Sequence, residues 1–235
     1  SFNFEVPILS DIVATSLVGT GSSEPSANTG QIIKVNGSNI QPGTQARFVK
    51  GTDGVPDGYI RTSLNHGATN HTAVVPEDAL SGNVRLETNG RLSSEAVYLS
   101  VVPQFTSFDA TGGFAPGNAA TLGGAALENE SEVVFLDAEG QEALAVADVD
   151  DSDNNSQAEL TIPSQAVEGP VRVATSGGEV PITMPSASIP APDTVVSGQD
   201  YAASLQGQIN LFEAEFFVDG ESQGITAGPF ELTIT

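Results

Sequence analysis

The densest group of side chains that could do chemistry in this chain is an acidic cluster ahead of residue 155. It contains four aspartates that lie close together in the sequence: Asp148, Asp150, Asp151 and Asp153. Carboxylate oxygens crowded in this way are the ligands that Ca²⁺ prefers. Two interpretations stay open: a Ca²⁺ site carried by the loop or shared between domains, and a solvated acidic loop without a ligand.

The same segment begins like an EF-hand loop but does not continue as one. Positions 151, 153 and 155 repeat the Asp-x-Asp-x-Asn start of such a loop. Ser156 then stands in place of the turn glycine, and Ile162 stands in place of the bidentate glutamate. Ca²⁺ is therefore the one candidate cofactor, in a geometry other than that of an EF-hand.

The two histidines of the chain, His66 and His71, are five positions apart. A pair of imidazoles can supply two zinc ligands, but a zinc site needs at least a third protein ligand, and none is evident nearby. The pattern favours a solvated polar loop.

Residues for covalent or nucleotide chemistry are missing from the sequence. The chain has no cysteine, and it contains no G-x-S-x-G elbow, no phosphate-binding loop and no dinucleotide fingerprint. We therefore predict a protein that is not an enzyme.

The charge of the chain excludes two classes of partner. Thirty acidic residues oppose seven basic ones, which gives a net charge of −23. Such a field repels nucleic acid and anionic lipid, and no run approaches the ~20 apolar residues of a membrane span. We predict neither nucleic-acid binding nor membrane insertion.

The charge is also uneven along the chain. Residues 1–103 hold nine acids and six bases, whereas residues 104–187 hold fourteen acids and one base. One explanation is solubility. The other is polarity along a fibre, in which the less acidic end of one chain meets the more acidic end of the next.

The elements that carry these residues are short stretches with period-two alternation, which is the signature of β-strands. They are separated by turn signals such as Asn36-Gly37 and Asn89-Gly90. We predict strands over residues 31–35, 46–49, 83–88, 96–101, 132–136, 158–162 and 170–174. Residues 143–149 are interpreted as a strand or loop, and residues 50–69 as a long inserted loop.

The strands recur in a repeat of 87 residues. Glycines at 30 and 117, glycines at 37 and 124, prolines at 76 and 163, and glycines at 82 and 169 share this offset. A period of this length fits one sandwich domain per repeat and not one turn of a solenoid.

These motifs resemble the IPT/TIG domain. The matching stretches are residues 72–86 and 160–173, each with an entry strand ahead of its unit (residues 7–10 and 103–107). The resemblance implies an all-β fold of tandem immunoglobulin-like β-sandwiches, with one domain over residues 1–103 and a second over 104–187. Short linkers are expected near residues 101–105 and 184–192.

Residues 188–235 resemble part of a different bacterial Ig-like module, with a hairpin at residues 212–220. The module is short by about two strands. Either the sequence is a fragment of a longer protein, or the missing strands come from elsewhere.

The leading functional prediction is a structural or adhesive segment of an extracellular surface or filament protein. Its partners would be neighbouring modules of a longer chain or further copies of itself. Phe2, Phe4 and Val6 alternate with polar residues. They belong either to the entry strand or linker, or to a donor strand that completes the C-terminal module of a neighbour.

The alternative is an accessory binding module of a secreted polysaccharide-acting enzyme. An exposed aromatic platform would favour it. The chain has no tryptophan and three tyrosines, Tyr59, Tyr98 and Tyr201, and Tyr98 is expected to pack in the core or on a face.

Overall fold

The computed structural model describes residues 5–52, 55–67, 70–93, 95–110, 115–129, 131–149 and 155–182, together with the backbone of four strands between residues 201 and 234. Every regular element in these ranges is a β-strand, and nearly all pairings are antiparallel. The prediction of an all-β, sandwich-type fold is confirmed. In the described part of the chain, no helix is long and apolar enough to cross a membrane.

Residues 5–103, here called the first unit, form two sheets over one core. The strands are β1 (Ile8–Val13), β2 (Thr20–Gly21), β3 (Ser26–Ala27), β4 (Ile32–Ser38), β5 (Gln45–Thr52), β6 (Val55–Ser63), β7 (Asn65–His66), β8 (His71–Val74), β9 (Gly82–Thr88), β10 (Arg91–Leu92) and β11 (Val97–Val101). One sheet has the order β1-β4-β8-β7, and the other has the order β3-β11-β9-β5-β6 with β10 paired to β9. Alternate residues of both sheets meet in a shared core around Phe48.

Residues 104–182, the second unit, repeat this arrangement. The strands are β12 (Gln104–Ala110), β13 (Ala119–Ala125), β14 (Ser131–Leu136), β15 (Glu142–Val149), β16 (Gln157–Thr161), β17 (Val167–Thr175) and β18 (Gly178–Pro181). Strand β15 pairs with β14 over most of its length and with β16 at its end, so it joins both halves of the sandwich into one path, β12-β13-β16-β15-β14-β17-β18-β2. The core surrounds Phe135, which lies 87 positions after Phe48.

The two units share their local hydrogen bonds as well as their strand order. The Gly30 amide donates to Val75 O at 2.8 Å, and the Gly117 amide donates to Ile162 O at 2.9 Å. Both glycines adopt the left-handed conformation, with φ of 75° and 85°, which other residues adopt at a cost. These two glycines, 87 positions apart, therefore have the same conformation and make the same hydrogen bond in the two units. The assignment of the two domains to residues 1–103 and 104–187 stays a prediction.

One segment differs from the sequence prediction, and a second settles a choice between strand and loop that the sequence left open. The interval 50–69, expected to be a loop, contains strand β6, which pairs with β5 along nearly its whole length. Pro56 and Asp57-Gly58 resemble a turn in the sequence but lie at an irregularity of this hairpin. The interval 143–149 belongs to β15, whose eight residues alternate strictly between exposed and buried.

Four strands follow in the C-terminal part: β19 (Tyr201–Ser204), β20 (Glu213–Val218), β21 (Glu221–Ala227) and β22 (Glu231–Ile234). Strand β19 pairs with β22, and β20 pairs with β21 as an antiparallel hairpin. The interpretation of residues 188–235 as part of an Ig-like module stays a prediction.

Candidate functional site

The predicted Ca²⁺ cluster lies only partly within the described residues. Asp148 is exposed near the end of β15 and lies directly opposite Glu159 of β16. The two carboxylates border a surface groove of about 380 Å³, lined also by Val146 and Thr121. Asp150, Asp151 and Asp153 lie outside the described residues. Among the residues that the structure does describe, no three His, Cys, Asp or Glu side chains come close enough to hold a metal ion.

Asn155, the last position of the EF-hand-like pattern, has a structural contact instead. It is fully buried, with a left-handed φ of 61°. Its side-chain amide donates to Gly51 O of the first unit at 3.2 Å. Asn155 is thereby anchored at the boundary between the two units.

The two histidines are cross-strand partners on β7 and β8. Their ring centroids lie 5.1 Å apart in an edge-on arrangement. The structure thus brings the pair together, but within the ranges it describes no third ligand joins them.

The predicted donor strand is described only at its end. Phe2 and Phe4 lie outside the described residues. Val6 is exposed and precedes β1, and its carbonyl accepts a 3.4 Å hydrogen bond from the Asn39 side chain. Strand donation to a neighbour stays a prediction.

The boundary between the units, here called the joint, is closed by a strand of the first unit. Strand β2 pairs with β18 at the edge of the second unit's sheet. The Ser22 amide donates to Gly177 O at 2.9 Å, and the Ser22 hydroxyl donates to Ser176 O at 2.7 Å. Backbone pairing of this kind extends a sheet across the boundary and fixes the register of the two units.

A buried asparagine holds the segment that carries β2. Asn28 is 1% exposed. Its Oδ1 accepts hydrogen bonds from the Leu17 and Val18 amides at 2.8 and 2.9 Å. Its Nδ2 donates to Val18 O and, at 3.2 Å, to Val102 O in the connection between the units. One side chain therefore ties the β2 segment to the chain's passage into the second unit.

The connection itself is buried and not a flexible linker. Strand β11 ends at Val101 and β12 begins at Gln104, and Val102 and Pro103 between them are both buried. A Cβ atom on Gly177 would lie 2.0 Å from Val101 O. Ala126 of the second unit packs in the first unit's core. The joint is thus closely packed on both sides of the connection.

A second feature of the first unit is a line of arginines on the outer face of its β3-β11-β9-β5-β6 sheet. Arg47 of β5 lies directly opposite Arg61 of β6 and Arg85 of β9. We call these three residues the arginine row. They are three of the seven basic residues of a chain with thirty acids, and like charges directly opposite each other destabilise a sheet.

Each arginine of the row is held in a different way. The Arg47 guanidinium lies over the Tyr59 ring, with Cζ 3.7 Å from the ring centroid. Arg61 Nε contacts Glu87 Oε2 at 2.7 Å, reaching across β5. Arg85 Nη1 donates to Ser93 O at 2.7 Å. Glu87 thus pairs with Arg61, the Tyr59 ring covers Arg47, and a backbone carbonyl holds Arg85.

Two exposed tyrosines lie alongside the row, where Tyr98 is opposite Asn83 and Tyr59 is opposite Val49. Tyr59 is 54% exposed and Tyr98 of β11 is 44% exposed. Of the two expectations for Tyr98, packing in the core is wrong, because Leu99 occupies the inward position of β11 and is fully buried, and Tyr98 lies on the sheet face. Strands β11 and β6 are three strand spacings apart, roughly 14 Å.

The described arginine of the second unit lies between two carboxylates. Arg172 contacts Glu142 at 2.6 Å and Glu179 at 3.0 Å. The hydrogen bond with Glu142 is the main cause that raises the pKa of Arg172. Two carboxylates thus contact one guanidinium there.

Local alternation in the sequence places two arginines of the row on outward positions. Arg85 falls in the alternating strand of residues 83–88, and Arg47 falls in that of residues 46–49, so both face outward with their neighbours. Arg61 was missed because its strand was expected to be a loop. Only the pairing of three strands that are distant in sequence brings the arginines together.

Comparisons with known proteins give no family. No family model matches the chain, and no curated protein matches it. Among solved structures, a crystal structure with a xylogluco-oligosaccharide overlaps 97% of this chain and 54% of its own, with 20% identity and a TM-score of 0.39.

Two further solved structures also overlap with this chain at low identity. SGBP-B from a complex xyloglucan utilization locus in Bacteroides uniformis covers 76% of this chain and 48% of its own, with 14% identity and a TM-score of 0.28. A tetra-tandem repeat in the extending region of a large adhesion protein covers 88% and 62%, with 12% identity and a TM-score of 0.25. This chain spans about half the length of the first two. At such identities and TM-scores, these overlaps carry no ligand or role over to it.

Proposed function

We propose that this chain is a stiff, non-enzymatic segment of an extracellular surface or filament protein, built from IPT/TIG-like sandwiches. The joint is the observation that carries the proposal. Strand β2 crosses the boundary, and the connection at Val102 and Pro103 is buried. Segments that only tether domains are usually exposed and few contacts cross them, so a closed joint suits a part that transmits force or holds a distance.

The test is a distance measurement across the joint in the full chain. The sequence has no cysteine, so spin labels can be placed at Ser63→Cys and Ser164→Cys, both exposed and one in each unit. Electron–electron resonance should give a single narrow distance distribution. A broad distribution would show that the units move independently and would overturn the proposal.

A matched pair of glycine variants shows whether the joint is the cause. Gly177→Ala places a Cβ 2.0 Å from Val101 O, whereas Gly169→Ala in the same unit meets nothing closer than 3.8 Å. We expect the first to broaden the distribution and the second to leave it unchanged. Circular dichroism of both variants checks that the strands remain folded.

One finer point belongs to the same proposal. Self-assembly by strand addition from Phe2, Phe4 and Val6 is supported by the alternation of these residues. A filament that persists after deletion of residues 1–6, seen by electron microscopy, would rule it out.

The second candidate function is an accessory binding module of a secreted polysaccharide-acting enzyme. The observation that favours it is the pair of exposed tyrosines, Tyr59 and Tyr98, on one sheet face. Aromatic rings exposed on a flat face give an apolar surface with a polar tip, which suits contact with a sugar ring.

A further inference from the structure

We infer that the outer face around the arginine row binds an acidic polysaccharide, a polymer whose sugar rings carry carboxylates. The inference rests on the second candidate function and names the ligand class for its site. It is drawn from the charge, spacing and exposure of residues on the β11-β9-β5-β6 face.

The positive charge of the arginine row favours the binding of an anion. Arg47, Arg61 and Arg85 lie side by side on adjacent strands, about 4.8 Å from one strand to the next, although like charges in such positions destabilise the sheet. Folding alone does not explain this placement in a chain with so few basic residues. A row of anions along the face would offset the repulsion.

The geometry of the row suits carboxylates. The planar guanidinium binds a carboxylate through two parallel hydrogen bonds. Arg47 is held in place by the Tyr59 ring, and its Nε is buried without a hydrogen-bond partner. A guanidinium that is already oriented loses less side-chain entropy when it binds a ligand.

The flanking residues favour a glycan over a protein. Around the row the outward positions are mostly polar, as at Gln45, Ser63 and Asn83, and Val49 lies opposite Tyr59. The core of a protein–protein interface is enriched in apolar residues, and this face offers two separated rings. Hydrogen-bonding side chains beside two aromatic rings match the hydroxyls and C–H faces of successive sugars.

The net charge of −23 does not prevent this contact. At physiological ionic strength the Debye length is about 8 Å, so a ligand on the face experiences mainly the charges close to it, those of the three arginines and Glu87. A narrow polymer brings only its own carboxylates to the row. A second copy of the chain would bring a large acidic surface with it.

The test is calorimetric titration of the full chain with oligogalacturonides, with uncharged xyloglucan oligosaccharides and dextran sulfate as comparison ligands. We expect oligogalacturonides to bind most tightly, and binding to weaken as NaCl is raised. Arg47→Gln should weaken binding by at least ~10-fold, because it removes a charge-assisted hydrogen-bond pair. Arg47→Lys should weaken it less, because it keeps the charge but loses the planar fork.

Two controls separate the site from the fold. Arg172→Gln removes an arginine that two carboxylates already hold in the second unit, and it should leave binding unchanged. Tyr59→Leu and Tyr98→Leu keep apolar bulk but remove the rings, and both should weaken binding. Thermal melting of each variant shows that a lost affinity is not a lost fold.

Three outcomes would overturn the inference. Equal binding of uncharged and acidic oligosaccharides would leave the second candidate function standing but not the acidic ligand. If dextran sulfate bound more tightly than the oligogalacturonides, and the tyrosine variants left that binding unchanged, the face would attract polyanions in general. Self-association that is lost in Arg47→Gln, seen by analytical ultracentrifugation, would identify a second copy as the occupant. None of these bears on the joint, which the spin-label distances test separately.

Discussion

Two buried asparagines hold backbone segments at the boundary between the units. The Asn28 side chain makes hydrogen bonds to two segments, residues 17–18 and Val102, and Asn155 makes one from the second unit to the first. Buried polar groups are stable only when they are paired, and removing one partner leaves the others unsatisfied. Removing either asparagine would therefore leave backbone groups without a hydrogen-bond partner.

At this scale we predict that Asn28→Ala destabilises the protein by about 2–4 kcal/mol. The buried Val102 O would lose a partner at ~1–3 kcal/mol, and the Leu17 and Val18 amides, which belong to exposed residues, would lose theirs at a smaller cost. Urea unfolding followed by circular dichroism measures the loss. Asn83→Ala, at an exposed position of β9, is the matched control and should change stability by less than ~0.5 kcal/mol. Equal effects of the two substitutions would contradict the role of Asn28.

Strands in this chain are positioned by close backbone approach at equivalent places in the two units. Strand β4 meets β1 at Gly37, and β13 meets β12 at Gly124, each beside a register shift in the entry strand. A Cβ atom would lie 2.1 Å from Ile8 O in the first case and 2.1 Å from Gln104 O in the second. The glycines are needed so that the entry strand can bend over the sandwich edge.

We predict that Gly37→Ala and Gly124→Ala each cost about 1–3 kcal/mol, which is typical of overpacking. Gly169→Ala, where the nearest atom is 3.8 Å away, should be nearly neutral. Differential scanning calorimetry of the three variants measures the shifts. If only one of the two glycines proved sensitive, the entry strands of the two units would not be equivalent in energy.

The whole molecule combines a strong negative field with a localised basic face and a closed joint. Asn155 contacts Gly51 O of the first unit, and Asp148 faces Glu159 across neighbouring strands. Like charges at such positions repel, and a divalent cation would relieve the repulsion. The proposal of a Ca²⁺ site is supported by this placement and by the density of aspartates in the sequence.

At this scale we predict that Ca²⁺ raises the melting temperature of the full chain more than Mg²⁺ does at equal ionic strength, because flexible carboxylate loops suit the larger ion. Calorimetric melts with each ion and with a chelator make the comparison. Asp148→Asn should reduce the Ca²⁺-specific part of the shift. Equal shifts with both ions would indicate general screening of the acidic surface and a solvated loop.

The sequence by itself determined the fold class and the repeat. Period-two alternation in strands such as β9 and β17, and the glycines and prolines 87 residues apart, are local patterns, and local sterics and burial suffice to produce them. Strand β6 was missed because Pro56 and Asp57-Gly58 mimic a turn, and pairing with β5 overrides them.

Only the tertiary structure decided the joint and the arginine row. Residues 20–21 pair with residues 178–179, and Arg47, Arg61 and Arg85 meet across three strands. The register between strands depends on how two faces pack and on where irregularities fall, and no single stretch of sequence contains that information. For the same reason the outward direction of Tyr98, and with it the exposed face, became known only once Leu99 was placed in the core.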